Sequence, residues 1–314
     1  MDILTLLFGF ALGLIFLVKG ADEMVSAAVQ IAVKFKIPNS IIGASFIGFG
    51  TSAPEMLVSG LAAFDGHPEL SIGNAFGSNI FNIGLVLGVT AIIYPVTVEK
   101  TVLKKEWGFL FLSSLVAGFL LMDGFLSFLD GLILLALLFL FLYYVFSESK
   151  KGNNSEIEVS EESIDNQDKG RIWTLLLVSL IILVTSARLV VWGGTNLALA
   201  FGVSDLIIGL TVVALGTSLP ELAVAISSAL KRQHQMIIGN IIGSNLFNTL
   251  GVLAIPGLIL PFQIPEEVMN RDFIYMIILT LLILVLSFKL KINRFGGIIL
   301  LGILASYLYQ LVWI

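Results

Sequence analysis

Residues 48–59 read GFGTSAPEMLVS, and residues 214–225 read ALGTSLPELAVA. The letters that the two segments share are displaced by 166 positions, so that Thr51 corresponds to Thr217 and Glu55 to Glu221. The same displacement relates GNAFGSNIFN (73–82) to GNIIGSNLFN (239–248). A chain that contains a carboxylate-bearing, proline-containing segment twice is predicted to build one site from two halves.

The surroundings of both segments are strongly apolar. The 314 residues are 57% hydrophobic and 12% charged, whereas soluble domains carry about 25% charged residues. Apolar runs of about 20 residues, the length that crosses a bilayer, recur along nearly the whole chain. They predict an all-α integral membrane protein with ten transmembrane helices, near residues 3–33, 41–64, 70–95, 106–122, 125–146, 171–201, 206–230, 236–262, 272–288 and 294–313.

The cationic residues predict the orientation of these helices. The odd-numbered connections hold 14 of the 17 Lys and Arg residues. By the positive-inside rule these connections are cytoplasmic, and both termini lie outside the cell. The fourteen residues are Lys34, Lys36, Lys100, Lys104, Lys105, Lys150, Lys151, Lys169, Arg171, Lys231, Arg232, Lys289, Lys291 and Arg294.

The repeated segments therefore face the membrane in opposite orientations. Each half contains five helices, an odd number, so the second half enters the membrane from the other side. Inverted repeats are typical of secondary transporters, whose sites lie at the bilayer midplane where broken helices meet. We predict a first transmembrane repeat over residues 1–146, a polar cytoplasmic linker over 147–170 and a second repeat over 171–314.

Pro54 and Pro220 predict interrupted helices at the midplane. Proline has no N–H to donate and clashes with the carbonyl four residues earlier. In hydrocarbon such irregular backbone survives only where it is buried in protein or lines a wet cavity. Beside the prolines stand Glu55 and Glu221, and a charged side chain at the bilayer centre costs about 2.5–3.5 kcal/mol. With no matched cation nearby in the sequence, we expect an exogenous cation as their partner.

The second motif adds polar side chains at helical spacing. Ser78 and Asn82 lie one turn apart on one helix face, as do Ser244 and Asn248, which favours them as ligands. A ligand role and a hydrogen bond between helices are equally compatible with Asn74, Asn79, Asn240 and Asn245. The glycine pairs 73/77 and 239/243 predict the close approach of another helix.

All of these candidate donors are oxygens. Oxygen-only sites suit hard cations such as Ca²⁺ and Na⁺. Two glutamates balance one Ca²⁺ or two Na⁺, so the two ions can compete for one cavity, which is the basis of antiport. The sequence shows no nucleophile–His pairing and no cluster of metal-binding histidines, so an enzyme is not expected.

The paired segments GTSAPE/GTSLPE and GNAFGSNIFN/GNIIGSNLFN resemble the two alpha-repeats of the calcium:cation antiporter superfamily, in particular its sodium/calcium exchanger-like prokaryotic branch. Proton-driven cation exchangers instead carry a GNxxE-type sequence where GTSxPE stands here. The resemblance implies exchange of Na⁺ for Ca²⁺ by alternating access, with one Ca²⁺ site flanked by Na⁺ sites. It also implies that the first and sixth helices are a long tilted pair that slides against the other eight.

The resemblance also assigns the residues that line the ion sites. Side chains are contributed by both repeats, and the backbone carbonyls of Gly48 and Ala214 are added to them. In exchangers of this type an aspartate stands where this chain has Asn248, so the two repeats are more symmetric here. The side-chain set is Thr51, Ser52, Glu55, Ser78, Asn82, Thr217, Ser218, Glu221, Ser244 and Asn248.

Two alternatives remain open from the sequence: Ca²⁺ exchange coupled to H⁺ or K⁺, and a passive cation channel. No cofactor and no catalytic residue is expected. The expected partners are the transported cations, Ca²⁺ and Na⁺ with H⁺ or K⁺ in the alternative, and the lipid bilayer. No nucleic-acid partner and no obligate protein partner is evident, and the expected location is the cell membrane, crossed several times.

Two further cationic residues lie inside predicted helices. Lys19 is positioned to pair with Asp22 or Glu23, which follow three and four residues later. Arg188 is expected to extend its charge toward the membrane interface or to meet backbone carbonyls.

Overall fold

The computed structural model describes residues 3–35, 37–150, 169–200 and 214–313. These residues form ten main helical segments, a short helix at Lys100–Lys104 and four two-residue strands. We name the main segments α1 (Ile3–Phe35), α2 (Asn39–Phe64), α3 (Pro68–Ile93), α4 (Glu106–Leu120), α5 (Phe128–Lys150), α6 (Lys169–Ala200), α7 (Leu219–Leu230, preceded by the helical turn Ala214–Thr217), α8 (His234–Ile259), α9 (Val268–Leu286) and α10 (Arg294–Trp313).

The prediction of an all-α membrane protein with ten helices is confirmed. Eight of the ten are long and apolar enough to cross a membrane over their described residues, and α4 and the described part of α7 are shorter. Helix α5 begins three residues later than expected, because the residues before it form a strand. Residues 206–213 of the predicted seventh helix and 151–168 of the predicted linker lie outside the described residues, and the remaining edges of the linker are helical, in α5 and α6.

The short strands show how the halves are related. Strand β1 (Val96–Thr97) pairs antiparallel with β4 (Lys291–Ile292), and β2 (Phe125–Leu126) pairs antiparallel with β3 (Phe262–Gln263). A shift of 166 residues converts β1 into β3 and β2 into β4, so the two pairs are equivalent. Each pair joins two connections that the positive-inside rule places on the same side of the membrane. The pairing therefore supports opposite orientations for the two halves.

Among the described residues, four segments adopt π-helical geometry within the longer helices. They lie in α2 (Gly43–Ile47), α3 (Asn82–Leu87), α8 (Asn248–Val252) and α9 (Val268–Phe273). The segments in α3 and α8 begin at equivalent residues, each the last asparagine of its GSNxFN motif. Because π-turns inside helices are frequent at functional sites, this places an irregular backbone beside both predicted ligand positions.

The two proline motifs have different local conformations. Helix α7 is interrupted at Ser218 (φ −89°, ψ 3°), and Pro220 then lies in the first turn of the helix that follows. In α2 the α-helix continues through Pro54, and the irregular turn lies upstream at Gly43–Ile47. Proline removes only one hydrogen bond from the ladder, so a helix held by its neighbours can continue past it. The predicted interruption is therefore present beside Pro220, but the prediction for Pro54 is wrong, because the helix is continuous there.

Buried apolar side chains of the described residues fall into two clusters. The larger contains no residue of α1 or α6. The smaller consists of α1 and α6 together with Ile42, Ile47, Val224 and Met236 from the other helices. Close packing at Gly13 supports the pairing of α1 with α6, because a methyl group there would lie 2.8 Å from a Val190 side-chain carbon. The two helices thus form a unit with a limited apolar interface to the rest of the bundle.

Helices α2 and α8 cross at very close range. A methyl group on Gly43 would lie 2.7 Å from the Met236 carbonyl oxygen, and one on Gly48 would lie 3.0 Å from the Ser244 nitrogen. On the facing helix, Gly239 and Gly243 lie against the backbone of Ser40 and Ala44. The predicted close approach at the glycine pair 239/243 is confirmed. For the pair 73/77, the positions equivalent to Ser40 and Ala44 are 206 and 210, which lie outside the described residues.

Replacing Gly243 with alanine is expected to destabilise the protein by about 1–3 kcal/mol, because the methyl group would meet the rigid backbone of Ala44 and force two helices apart. Thermal unfolding of the purified protein in detergent measures this as a lower midpoint. Gly302→Ala in α10 is the matched control, since no described atom lies within 4 Å of a methyl group there. Equal midpoints for the two variants would contradict the close crossing.

Candidate cation site

Two carboxylates from opposite halves lie in the protein interior. Glu55 of α2 and Glu221 of α7 are 0% and 1% exposed. Neither oxygen of either carboxylate has a hydrogen-bond partner among the described residues, and the two groups are close enough for their charges to repel each other. A buried charge without a partner is strongly destabilising, so this pair needs a cation that the protein itself does not supply.

Among the described residues, no Lys, Arg or His side chain is buried. That part of the chain also contains no group of three or more His, Cys, Asp or Glu side chains that could hold a metal ion. The negative charge of the site is therefore that of the two glutamates, as the sequence predicts. Any further ligands must be neutral oxygens.

Neutral oxygens surround the two carboxylates. The hydroxyls of Thr51 and Ser52 approach the Glu221 carboxylate but lie outside hydrogen-bond geometry. The Ser52 and Ser218 hydroxyls are buried and have no hydrogen-bond partner in the described part of the chain, which leaves their lone pairs available. Thr217 is half-buried beside them, and for Ala214 only the helical backbone is described.

Thr51 connects the two halves of the site. Its hydroxyl lies 3.2 Å from the Ser244 hydroxyl and 3.5 Å from the side-chain oxygen of Asn240, both on α8. It also lies 3.1 Å and 3.4 Å from the carbonyl oxygens of Ile47 and Gly48, one turn earlier in α2. The carbonyl oxygen of Gly48, which is predicted from the sequence to be a ligand, therefore lies beside the Thr51 hydroxyl.

The second motif of each half contributes further buried polar side chains. Ser78, Asn82, Ser244 and Asn248 are all buried. The Asn82 amide donates to the side-chain oxygen of Asn245 at 3.2 Å, and its own oxygen has no partner. Neither the oxygen nor the nitrogen of the Asn248 amide has a hydrogen-bond partner within the described ranges. Asn82 and Asn248 thus each present a buried oxygen without a hydrogen-bond donor.

The four asparagines whose role the sequence leaves open form hydrogen bonds between helices. Asn74 donates to the Glu55 carbonyl at 3.1 Å and to the Ser59 hydroxyl at 3.0 Å, which fixes α3 against α2. Asn79 donates to the Thr249 hydroxyl at 2.9 Å. The oxygens of Asn240 and Asn245 accept from Thr51 and Asn82 across the repeats. These contacts hold the surrounding helices in place.

One supporting residue is not predicted from the sequence. Ser59 accepts the hydrogen bond from Asn74, and its carbonyl accepts one from Ser71 at 2.7 Å. Its equivalent in the second half is Ala225, which has no hydroxyl. A search based on the repetition of polar residues therefore cannot find it.

Comparison with known families gives one match that covers each half. The profile of the family described as "Sodium/calcium exchanger protein" matches residues 5–147 and again residues 171–313. The two matched ranges differ by 166 residues at both ends, the displacement that relates the motifs.

Individual relatives extend over nearly the full chain. The inner membrane protein YrbG of Escherichia coli (strain K12) is 37% identical over 309 residues, which cover 96% of this chain and 95% of that protein. The sodium/calcium exchanger MaX1 of Methanosarcina acetivorans is 31% identical over 345 residues, with 96% and 97% covered. A solved structure of the sodium-calcium exchanger NCX_Mj, soaked with zero Na⁺ and Ca²⁺, superposes with a TM-score of 0.85 at 35% identity and covers 99% of this chain and 100% of that chain.

Removing either carboxylate is expected to abolish the stabilisation of the protein by Ca²⁺. A cation that binds only the folded state raises stability by about 2.7 kcal/mol at one hundred times its dissociation constant. In Glu55→Gln and Glu221→Gln one of the two charges is gone, so the unfolding midpoint should no longer rise with added CaCl₂. Without cations both variants should unfold at higher temperature than the wild type, because the repulsion between buried charges is removed.

Glu69→Gln is the matched control for this titration, since Glu69 is an exposed carboxylate at the start of α3. It should keep the response to Ca²⁺. A wild-type response in either Glu55→Gln or Glu221→Gln would show that the ion binds elsewhere.

Proposed function

This chain belongs to the sodium/calcium exchanger protein family, and from that premise we infer that it is a secondary antiporter that exchanges Na⁺ for Ca²⁺ across the membrane. The family consists of exchangers rather than enzymes. The protein is accordingly a multi-pass membrane protein whose partners are transported cations.

The observation that supports this function best is the pair of buried glutamates, one from each inverted half. Their combined charge of −2 matches one Ca²⁺ or two Na⁺. Because one pair of carboxylates cannot balance both loads at once, binding of the two ions is mutually exclusive. Such a site opens alternately to the two sides of the membrane. Na⁺ moves down its gradient and leaves the site on one side, and Ca²⁺ then takes its place for the return. The two fluxes are therefore coupled.

The proposed ligands are all oxygens. Ca²⁺ takes six to eight oxygen ligands, and carboxylates, hydroxyls, amides and backbone carbonyls all serve. Buried oxygens without hydrogen-bond donors on Glu55, Glu221 and Asn82 are suited to this role. The full proposed set is Gly48, Thr51, Ser52, Glu55, Ser78, Asn82, Ala214, Thr217, Ser218, Glu221, Ser244 and Asn248, with Gly48 and Ala214 contributing backbone carbonyls. The ions are transported substrates, and we propose no further cofactor.

We place the cationic connections, which include those that carry β1 and β4, in the cytoplasm. Both termini then lie outside the cell. The support for this orientation is the concentration of Lys and Arg on one side of the bundle. With the usual inward Na⁺ gradient, the direction of transport in the cell is Ca²⁺ efflux.

Vesicles that contain the purified protein and an internal Na⁺ load should take up ⁴⁵Ca²⁺ when they are diluted into medium without Na⁺. Uptake should fall to the level of empty vesicles when the internal Na⁺ is replaced by choline, because no counter-ion then leaves. Replacing the Na⁺ gradient with a K⁺ gradient or a pH gradient tests the other coupling ions in the same vesicles. Uptake that is independent of internal Na⁺ would contradict Na⁺/Ca²⁺ exchange.

Asn248→Asp should change the dependence of transport on Na⁺. The substitution adds a third carboxylate to a site that has two, and the added charge favours one further monovalent cation. In the same vesicles the Hill coefficient for Na⁺ should rise by about one. Asn293→Asp is the control, because Asn293 only caps α10, with its oxygen 2.9 Å from the Gly296 nitrogen, and aspartate caps equally well. An unchanged Hill coefficient in Asn248→Asp would place this residue outside the Na⁺ site.

A further inference from the structure

Four charged residues outside the ion site are related by the repeat, with their charges reversed. The displacement of 166 residues relates Asp22 of α1 to Arg188 of α6. It also relates Asp65, directly after α2, to Lys231, directly after α7. Each possible pair joins the two halves, and the repeat converts Asp22–Lys231 into Arg188–Asp65, with the acid and the base exchanged. At equal distance the two pairs attract equally, because exchanging the acid and the base leaves the product of the charges unchanged.

One of the two pairs is formed. The Lys231 ammonium lies 2.8 Å from a carboxylate oxygen of Asp22. It also donates to the Asp22 carbonyl at 2.5 Å and to the Ser26 hydroxyl at 2.6 Å, so that all three of its N–H groups can be used. The Ser227 hydroxyl donates to the same Asp22 carboxylate at 3.2 Å. These bonds fasten α1 to the end of α7. Lys19 is predicted to pair with Asp22 or Glu23, but among the described residues the ion-pair partner of Asp22 is Lys231.

The other pair is not formed. Asp65 and Arg188 are both exposed, and neither has an ion-pair partner among the described residues. The local backbone at Asp65 is nevertheless the same as at Lys231. The amide of Asp65 donates to the Leu61 carbonyl at 2.9 Å, and the amide of Lys231 donates to the Ser227 carbonyl at 3.0 Å. The next residues, Gly66 and Arg232, both have positive φ. The difference therefore lies in the neighbouring helix and not in the turn.

The side chains near the formed pair are buried, whereas their equivalents near the other pair are exposed. Val224 and Ser227 of α7 are 0% and 7% exposed, and Val224 is packed in the cluster that α1 and α6 form. Their equivalents in α2, Val58 and Leu61, are 43% and 55% exposed. Helix α1 thus covers α7 at the end that carries Lys231, whereas α6 leaves the corresponding face of α2 uncovered. By the distribution of cations, the covered end is cytoplasmic and the uncovered end is external.

We propose that these four residues form two alternating ion-pair latches. In the present state Asp22–Lys231 holds the cytoplasmic side closed, and the external side is open. When the α1–α6 unit moves, Asp22–Lys231 separates and Arg188 pairs with Asp65 to hold the external side closed. In an inverted repeat each half adopts in one access state the conformation that the other half has in the opposite state, so an ion pair that breaks in one half is replaced by its equivalent in the other. The proposal rests on the proposed antiport only in requiring alternating access.

Cross-linking tests the latch that is not formed here. Because the chain contains no cysteine, the double variant Asp65→Cys/Arg188→Cys carries the only thiols. In reconstituted vesicles a short bifunctional thiol reagent should join them and stop ⁴⁵Ca²⁺ exchange. The control is Asp65→Cys/Arg171→Cys, since Arg171 lies on the same helix about 25 Å from Arg188 at 1.5 Å per residue, and it should give no cross-link. Exchange by Asp65→Cys/Arg188→Cys with no more cross-link than the control would overturn the proposal.

Charge exchange tests the same pair without thiols. Asp65→Arg should slow exchange, because it places a second positive charge opposite Arg188 when the external side closes. Asp65→Arg/Arg188→Asp should restore exchange, because the two charges are again opposite. Asn substitution of Asp22 should increase the yield of the Asp65–Arg188 cross-link by up to about fivefold, the range expected for an exposed ion pair. A double charge variant no faster than Asp65→Arg, or a yield unaffected by Asp22→Asn, would also refute the latches. If the thiols are cross-linked but the protein without the cross-linking reagent shows no Na⁺/Ca²⁺ exchange, the proposed function is contradicted while the ion-pair latches are still supported.

Discussion

The structure depends on one electrostatic constraint, the placement of two glutamates in the interior of a protein that buries no cationic side chain among its described residues. Two like charges there repel each other and lose their hydration, so the helices that carry them must be held together by other contacts. The glycine crossing of α2 with α8 and the asparagine bridges to Thr51 and Asn82 supply such contacts. The same constraint makes the fold a receptor for cations, because a positive charge bound between the carboxylates removes the repulsion.

The inverted duplication lets similar sequences serve both faces of the membrane. Val58 and Val224 are the same residue type at equivalent positions, yet one is exposed and the other is buried. A protein that alternates between two access states requires equivalent segments that have different surroundings in any one state. The α1–α6 unit is the part that we propose moves, since its separate apolar cluster includes few buried side chains of the remaining helices.

Much of the fold and of the site could be predicted from the sequence, because hydropathy and repetition are local properties. The run lengths give the helices, and the displacement of 166 residues identifies the corresponding donors. The role of Asn74 could not be predicted in this way. Whether its amide binds an ion or the Glu55 carbonyl depends on the distance between two helices. The role of Ser59 could not be predicted either, because its equivalent in the second half is an alanine. The different conformations of the two proline motifs depend on the residues that pack against each of them.

The sequence by itself determined the membrane class, the inverted repeat, the family and the charge available to the cation, since each follows from the type and order of residues. Only the tertiary structure decided which polar groups of the described residues are left without partners and which helix end is covered by α1. Those properties depend on how the two halves pack against each other, and equivalent residues of a duplicated chain need not have equivalent surroundings. Asp22 is bound to Lys231 while Asp65 and Arg188 remain apart, although the same displacement relates both pairs.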